Sequence, residues 1–368
     1  MRVTLDEVCT KATSKYAQKD LANMTGEYPV FGASGFIKNI GMYQQEKTYV
    51  AVVKDGAGIG RTMLLPGKSS VIGTMQYLLP KENIIPKFLY YAVKSMHLEK
   101  YYTGATIPHI YFKDYKKETF DLPKDIRQKE IINILDKVEL IIQSRKLQLK
   151  ALDELIKSRF VEMFGSVKTN SMNWPIVEIG NIIEKLEAGW SGSGQQRDKK
   201  SGEIAVLKVS SVTQGYFIPE ECKVLDNQKN IKKYIFPQKG DLLFSRANTR
   251  EMVGATAIIM MDYPELILPD KLWKIQFKDN ANVFYMKQVL SSTCIRKRFS
   301  AVSTGTSGSM YNVSMDKFKK IDIPLPPVNL QEKFAEFIID IHKSRLAIQK
   351  SLDETQLLFD SLMQKYFG

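Results

Sequence analysis

The 368-residue sequence lacks the features of a membrane protein or of a secreted, disulfide-bonded protein. No apolar run approaches the ~18 residues that span a bilayer, and the first residues lack the long apolar core of a signal peptide. Cysteines are few: Cys9, Cys222 and Cys294 lie far apart, form no CxxC pair and are odd in number. We therefore expect a cytoplasmic protein with reduced, buried thiols and no membrane contact.

Histidine is also scarce, and His97, His109 and His342 have no metal-ligand spacing to one another or to a cysteine. The GxxxxGK[ST] loop of motor ATPases and the Asn-Pro-Pro-aromatic tetrad of amino-methyltransferases are absent. Pro269-Asp270 with Lys274 superficially resembles a nuclease site, but no acidic-x-Lys strand completes it. We expect a chain with no active site and no bound metal.

One glycine-rich run comes closest to a cofactor motif. In the segment 50–61 a strand-like stretch is followed by Gly56, Gly58 and Gly60. A nucleotide- or S-adenosylmethionine-binding loop must open a helix of about three turns, whereas a Pro-Gly pair follows here within a few residues. We interpret the run as a turn whose glycines let the backbone approach a ligand surface.

Basic residues are in clear excess. The chain has 53 Lys and Arg against 40 Asp and Glu, which gives a formal net charge of +13. Such a charge on a chain of ordinary globular composition favours a polyanionic partner, and nucleic acid is the first candidate. The length exceeds the usual ~150 residues per domain, so we expect at least two domains.

The sequence contains an internal repeat. The segment 120–165 returns as 321–368, with Gln128 matching Gln331, a shared Ser-Arg pair, a shared Leu-Asp-Glu and a terminal Phe-Gly. Three preceding segments recur more faintly in the same order, so the repeat decides the architecture. We divide the chain into globular half one, a first helix, globular half two and a second helix, at 1–123, 124–165, 166–322 and 323–368.

Both helical segments carry apolar residues at alternating spacings of four and three, with few glycines or prolines inside. This a/d pattern predicts a coiled-coil seam in which the two helices pack on each other as an antiparallel pair. Arg145 and Arg345 interrupt the seams midway, and we expect them to set the register. At ~1.5 Å per residue each helix would be ~58 Å long, a spacer between the halves. The predicted seam residues are Leu135, Val138, Ile142, Arg145, Leu149, Leu152, Ile338, Ile341, Arg345, Ile348 and Leu352.

Polar loops of half two supply candidate DNA contacts. Arg246 is the sharpest candidate for reading a base, because guanidinium and amide groups that follow a strand can donate to base edges. We expect the basic run 296–298 to contact phosphates. The candidates in half two are Lys208, Ser210, Ser211, Arg246, Asn248, Thr249, Arg250, Arg296, Lys297, Arg298, Thr304, Thr306, Ser307, Tyr311 and Asn312.

Half one offers a similar set of polar, aromatic and basic side chains in glycine-containing segments, including a turn with His109 that we expect to face DNA. A solvated polar loop is the alternative for each of these residues, since loops are generally polar and glycine-rich. The candidates in half one are Tyr28, Phe31, Ser34, Lys38, Lys54, Arg61, Thr103, Thr106 and His109.

With two basic halves and two equal helices, the layout resembles the specificity subunit of a type I restriction–modification enzyme. The resemblance covers essentially the whole chain and rests on LP followed by a Gln-led helix with LDEL and F-G, and on the segments YPVFGASG, GDLLFSRAN and LKVSSVTQGYF. It implies an α+β fold with two mixed α/β target-recognition domains in pseudo-twofold repeat, separated by two long antiparallel coiled-coil helices. Each domain would read one half of a gapped target in double-stranded DNA.

The resemblance also implies a non-catalytic chain that works within a complex. Two modification (methyltransferase) subunits would dock on the helices, and restriction (ATPase/nuclease) subunits would join them. S-adenosylmethionine, ATP and magnesium would bind to those partners. Two alternatives stay open: a stand-alone bipartite DNA-binding regulator, and a solitary methyltransferase whose glycine run binds S-adenosylmethionine.

Overall fold

The structure, a computed structural model, describes residues 1–104, 107–227, 231–305 and 310–368. The chain forms two compact units. Unit 1 comprises Met1–Gln148 and Ile348–Gly368, and unit 2 comprises Leu149–Ala347. Each unit thus contains one globular half, the beginning of the long helix that follows it and the end of the other long helix. The four-segment division along the sequence stays a prediction.

Unit 1 contains mainly short strands. The strands are β1 (Arg2–Thr4), β2 (Cys9–Thr13), β3 (Tyr28–Gly32), β4 (Gly35–Ile40), β5 (Tyr49–Val53), β6 (Thr62–Leu65), β7 (Ser70–Val71), β8 (Met75–Pro80) and β9 (Thr119–Asp121). The helices are α1 (Leu5–Val8), α2 (Pro86–Ser95), α3 (Phe112–Tyr115) and the first part of α4 (Asp125–Phe164). Short 3-10 turns lie at Gln18–Leu21 and Leu98–Tyr101.

In unit 2 the same kinds of element recur. The strands are β10 (Ile176–Glu178), β11 (Ile183–Ala188), β12 (Gly194–Gln195), β13 (Ala205–Leu207), β14 (Cys222–Leu225), β15 (Leu242–Ser245), β16 (Ala247–Asn248), β17 (Thr256–Ile258), β18 (Leu266–Ile267), β19 (Leu272–Phe277), β20 (Tyr311–Asn312) and β21 (Asp322–Pro324). The helices are α5 (Ile179–Ile182), α6 (Ser210–Thr213), α7 (Val283–Ser291), α8 (Thr293–Val302), α9 (Met315–Lys319) and α10 (Val328–Phe367).

The sheets of the two units correspond strand for strand. The antiparallel order β2-β8-β5-β6 matches β11-β19-β15-β17, and the pair β1-β9 matches β10-β21. The order β4-β3-β7, in which β7 runs parallel to β3, matches β14-β13-β18, in which β18 runs parallel to β13. Half two adds β12, β16 and β20, which accounts for part of its greater length. The predicted repeat of two mixed α/β domains is confirmed.

The central strands explain the fold of each sheet. All five residues of β5 and all four of β15 are buried, because each strand has a neighbour on both sides and is covered on both faces. Helices α2 and α7 pack on these sheets. Pro86 occupies the first turn of α2, where its missing N–H costs nothing, and the Asn282 side chain caps α7 by accepting a hydrogen bond from Phe284 N at 2.9 Å.

The long helices bury Leu135, Val138, Ile142 and Leu352 of the predicted seam, whereas the other seven predicted seam residues are partly buried. In unit 1 the residues 131, 135, 138 and 142 of α4 are buried, and Arg127 lies 5.9 Å from the ring of Tyr366, so the start of α4 meets the end of α10. In unit 2 the Phe164 and Phe334 rings are 5.5 Å apart, so the end of α4 meets the start of α10. The antiparallel pairing is therefore confirmed within each unit.

Two phenylalanines outside the predicted seam extend the core. Phe160 and Phe164 of α4 are buried, with ring centroids 5.6 and 4.9 Å from Tyr285 of α7. In unit 1 Phe367 lies 5.1 Å from Phe88 of α2. The end of each long helix thus packs on a globular half. Among the described residues, none of the helices has the length and hydropathy needed to cross a bilayer.

Candidate nucleic-acid interface

In unit 1 the glycine run forms a tight loop between two antiparallel strands. We name residues 54–60 tip loop 1; it leaves β5 and closes where Gly60 N donates to Val53 O at 2.9 Å. Gly60 has a positive φ of 80°, and a Cβ there would lie 2.7 Å from Glu99 N. Glycine is therefore required both for the backbone conformation and for the close approach. The next element is strand β6, so the strand–loop–helix geometry of a cofactor loop is not formed.

A second segment, residues 107–110, packs on tip loop 1, where Gly56 N donates to Pro108 O at 2.9 Å. Thr103 and His109 exchange both backbone hydrogen bonds, at 2.9 and 3.0 Å, and Ile110 N donates to Lys54 O at 2.9 Å. The His109 imidazole Nδ1 contacts the Asp55 carboxylate, and its ring lies 4.0 Å from that of Tyr111. These bonds make one continuous surface from two loops that are far apart in sequence.

The hairpin turn between β3 and β4 joins this surface. Arg61 Nη1 donates to Ala33 O at 2.8 Å, beside the exposed Ser34. Phe36 and Ile107 are 60% and 66% exposed, so apolar side chains stand among the polar ones. Tip 1 is the surface formed by Ser34, Lys54, Asp55, Arg61, Thr103, His109 and Tyr111.

Unit 2 builds the same surface with different side chains. Tip loop 2, residues 246–254, leaves β15 and closes where Gly254 N donates to Ser245 O at 2.8 Å. Gly254 has a φ of 81°, and a Cβ there would meet the Phe299 ring at 2.6 Å. Thr304 and Asn312 exchange backbone hydrogen bonds, both at 2.9 Å, and Val313 N donates to Arg246 O at 2.9 Å.

The backbone hydrogen bonds identify the equivalent positions of the two tips. Because each bond of unit 1 has its counterpart in unit 2, the residues can be paired without reference to side-chain type. The equivalent pairs are Lys54 and Arg246, Asp55 and Ala247, Thr103 and Thr304, and His109 and Asn312. We name Arg246, Ala247, Asn248, Thr249, Arg250, Thr304, Tyr311 and Asn312 tip 2, in which Ala247 is buried.

Arg246 lies at tip 2 but is partly engaged. Its Nε donates to Asp270 O at 2.8 Å and its Nη2 lies 3.8 Å from the Asp270 carboxylate, while Ser191 Oγ donates to the same carboxylate. The Arg246 side chain is 30% exposed. Asp270 therefore fixes the direction of the guanidinium, and the predicted base-reading role of Arg246 stays a prediction.

Basic residues of the neighbouring elements differ in what they touch. The guanidinium of Arg250 lies 6.0 Å from the Tyr311 ring, a cation–π contact within tip 2. Arg296 Nη2 donates to Glu251 O at 2.6 Å, and burial lowers the pKa of Arg296, so this side chain supports the loop from beneath. Lys297 and Arg298 are exposed, and Arg298 Nη1 donates to Asp322 O at 2.8 Å.

Ser211 was expected to contact DNA, and the structure contradicts this. Its side chain is fully buried, because the segment after β13 turns into helix α6 and directs Ser211 inward. Lys208 and Ser210 instead contact Glu221 Oε2, at 2.8 and 2.5 Å, and these two contacts lower the pKa of Glu221.

Of three further candidates of half one, Tyr28 and Lys38 are engaged by the scaffold and Phe31 lies beside the hairpin turn. Tyr28 begins β3, about 13 Å along the strand from the hairpin turn, and packs edge-on against Tyr43. Lys38 Nζ donates to Leu21 O at 2.9 Å, which ties it to the scaffold. Phe31 is half-buried against the core and Phe36. The predicted residues Thr106, Thr306 and Ser307 lie outside the described residues.

Three residues at or beside the tips were not among the predicted contacts. Asp55, Asp270 and Tyr111 each touch a predicted contact residue, yet no spacing rule connects them to it. Asp55 could have been found by its place directly after Lys54 in the run that matches the Arg246 segment. Asp270 could not, because it reaches Arg246 only through the folded sheet.

The rest of the titratable groups form no second site among the described residues. In that part of the chain no three His, Cys, Asp or Glu side chains could hold a metal ion together. His97 is exposed beside Glu99, and burial lowers the pKa of His342. Cys9 and Cys222 are buried, Cys294 is only half-buried, and all three are free thiols; burial raises the pKa of Cys9 to about 12.

The seam arginines are held by polar neighbours. Arg145 Nη1 donates to Gln148 at 2.9 Å, and Arg345 forms an ion pair with Asp153. Both long helices also expose large apolar side chains on faces turned away from the seam, including several leucines that are about half to two-thirds exposed. These residues are Leu140, Leu147, Leu155, Val161, Leu346, Leu357 and Leu358.

The family model and the similar proteins that match this chain agree on one family. Residues 1–152 and 172–355 match the family model described as type I restriction modification DNA specificity domain. The chain is similar to the Escherichia coli type I restriction enzyme EcoEI specificity subunit, with 28% identity over 200 residues, 52% of this chain and 33% of that protein. The matched region thus spans about a third of that relative.

A second relative matches over more of its length. The putative type I restriction enzyme specificity subunit S.HindORF215P of Haemophilus influenzae is 22% identical over 345 residues, 91% of this chain and 85% of that protein. Among solved structures, the type-I restriction-modification system S subunit from M. genitalium is similar with a TM-score of 0.61 and 15% identity, covering 100% of this chain and 96% of that one. At this identity the structural likeness concerns the fold alone.

Proposed function

The chain belongs to the type I restriction modification DNA specificity family, and from this premise we propose that it reads a bipartite, gapped target in double-stranded DNA. Globular half one recognises one half-site and globular half two recognises the other. The observation that carries the proposal is the pair of equivalent tips, each built from two loops on one backbone hydrogen-bond pattern. A duplicated reading surface fits a target made of two short sequences.

In this proposal, polar side chains of the two tips recognise the bases. Lys54, Thr103 and His109 in tip 1 offer donors and acceptors that can meet base edges in the major groove, and Asn248 and Asn312 in tip 2 offer amides that suit adenine. Because the loop backbones bond to each other, these side chains are presented with little loop entropy to lose on binding.

Phosphate contacts fix the position of each half on the duplex. Lys297 and Arg298 are exposed on α8 and Arg61 borders tip 1, so each can neutralise phosphate charge without base preference. The net charge of +13 supports the same view, because counterion release favours a basic chain on DNA.

The long helices provide the partner surface and the spacer. Their exposed leucines form an apolar surface that a folded partner can cover. In our proposal two modification subunits dock there and restriction subunits join them, in the cytoplasm. S-adenosylmethionine, ATP and magnesium bind to those partners, and this chain supplies the DNA sequence specificity.

A map of methylated adenines in the host genome tests the proposal, with and without this gene. We expect a gapped, two-part motif that disappears on deletion. An unchanged map in a host whose modification subunit is active would contradict the proposed function.

A further inference from the structure

One buried glutamine occurs at the same place in each long helix. Gln128 is the fourth residue of α4 and Gln331 the fourth residue of α10, and both are completely buried. A buried primary amide is costly unless its donors and acceptor are bonded. Both side chains meet that demand in the same way.

The two amides make the same three hydrogen bonds. Gln128 Oε1 accepts from Ile85 N at 2.9 Å, and its Nε2 donates to Asn83 O at 3.2 Å and to Pro123 O at 3.0 Å. In unit 2 Gln331 bonds the corresponding groups, accepting from a backbone N–H at 2.8 Å and donating to two carbonyls at 3.2 and 2.7 Å. Those partners are Asn282 N, Asn280 O and Pro326 O.

Each amide therefore joins three pieces of backbone. Ile85 and Asn282 are the N-cap residues of α2 and α7, the helices that pack on the central sheets, and the two prolines precede the long helices. Helix α2 packs on β5 and β6, the strands that flank tip loop 1, and α7 packs on β17, which flanks tip loop 2. A path of rigid contacts thus runs from the glutamine to the tip in each unit.

We propose that Gln128 and Gln331 are positioning residues that fix the direction of each recognition surface relative to its long helix, and thereby restrict the length of unread DNA between the half-sites. The inference rests on the proposed function. Apolar contacts hold two elements together but resist rotation weakly, whereas three directional bonds to one planar amide fix an angle. Each unit has further polar ties: in unit 2 Tyr285 Oη donates to Pro324 O at 2.7 Å, and in unit 1 Lys87, Tyr91 and Lys94 of α2 bond carboxylates farther along α4. Among the described residues, only the glutamine joins the N-cap of the packing helix to the start of the long helix in the same way in both units.

The test compares Gln128→Met and Gln331→Met, which keep the length of the side chain and remove all three bonds, with a control variant. The control is Gln18→Met, at an exposed glutamine of half one that lies outside the long helices and tip 1. The full chain, assembled with the modification subunits of its host, is offered duplexes carrying both half-sites at the native gap and at gaps one base pair shorter or longer. Duplexes with one mismatched base in a half-site are included.

We expect Gln128→Met to reduce the preference for the native gap about tenfold, the factor that matches the net loss of one or two buried hydrogen bonds. Discrimination against mismatched half-sites should stay as in the wild type. We expect a reduction of similar size for Gln331→Met and none for Gln18→Met.

Equal weakening on every duplex, with the gap preference intact, would overturn the inference, because that is what a merely structural glutamine produces. If Gln128→Met does not fold, Gln331→Met decides by the same criterion. The wild-type chain is assayed before any variant. If it selects no gapped target, the proposed function itself is overturned.

Discussion

In the four-stranded sheet of half one, the buried side chains of Tyr49 and Tyr77 lie diagonally across the neighbouring strands β5 and β8, with ring centroids 5.0 Å apart. The same diagonal in half two holds Asp241 and Lys274, an ion pair at 2.9 Å that is at most 6% exposed. Gln238 Oε1 accepts from Lys274 Nζ at 2.6 Å, and Asp241 Oδ1 accepts from Gln276 Nε2 at 2.9 Å. One backbone thus accommodates aromatic packing or a fully bonded ion pair.

The tips repeat this lesson at the surface. The contact of Asp55 and His109 in tip 1 becomes Ala247 and Asn312 in tip 2, on an identical ladder of backbone bonds. Since the loops are closed by backbone groups and by Gly60 or Gly254, side chains at these positions can differ without a change of fold. The scaffold and the recognition chemistry are therefore separable.

The largest difference in the free energy of unfolding should come from substituting one residue of each diagonal pair. Lys274→Met leaves the Asp241 carboxylate buried without its cation, and we expect the free energy of unfolding to fall by about 3–5 kcal/mol. Tyr77→Phe keeps the pair of rings but removes a hydroxyl that accepts from Val71 N at 2.8 Å, and the unpaired buried N–H should cost about 1–3 kcal/mol. Urea unfolding of the full chain measures both, and equal losses would refute the view that the two diagonals differ in kind.

The loop-closing glycines give the next largest effect. In Gly254→Ala the new Cβ meets Phe299 at 2.6 Å as well as the unfavourable φ of 81°, and we expect a loss of roughly 2–4 kcal/mol. Gly202 has the same φ of 81° but nothing within 4 Å, so Gly202→Ala should cost only about 1 kcal/mol. The same pairing in half one is Gly60→Ala against Gly56→Ala. Thermal unfolding is the measurement, and similar losses within each pair would exclude close packing as the reason for glycine.

Removing an equivalent basic side chain from each tip should affect one half-site at a time. We expect Arg246→Ala to relax discrimination at one base pair of half-site two by about 1–3 kcal/mol, and Lys54→Ala to act only on half-site one. Competition binding with single-base-pair variants measures this. A uniform loss on all DNA after Arg246→Ala would remove its base-reading role and leave Arg246 as a support for tip loop 2.

The smallest effect is expected from Arg298→Ala. This exposed side chain would contact a phosphate, so its loss should weaken binding equally on all sequences and reduce the slope of log affinity against log salt by about 1. Salt titrations of cognate and mismatched duplexes test this. Any change in base preference would place Arg298 with the reading residues instead.

The sequence predicted the architecture because its signals are local and repeated. The a/d spacing predicted that the two long helices pair, and the repeat predicted two domains of the same kind. Ser211 was misplaced because a polar residue after a strand gives no sign of whether it points inward. Lys38 and Arg246 could not be assigned from sequence, since their partners Leu21 and Asp270 are brought near only by folding.

The most direct test of the proposal that each tip reads one half-site is to give tip 1 side chains of tip 2. The double variant Asp55→Ala, His109→Asn gives tip 1 the residues that tip 2 has at the equivalent positions, and the readout is the genome-wide map of methylated adenines. The account predicts that one part of the two-part motif changes or loses definition while the other part and the gap stay as they are. A change in both parts, or a motif wholly unchanged, would contradict the assignment of one half-site to each tip.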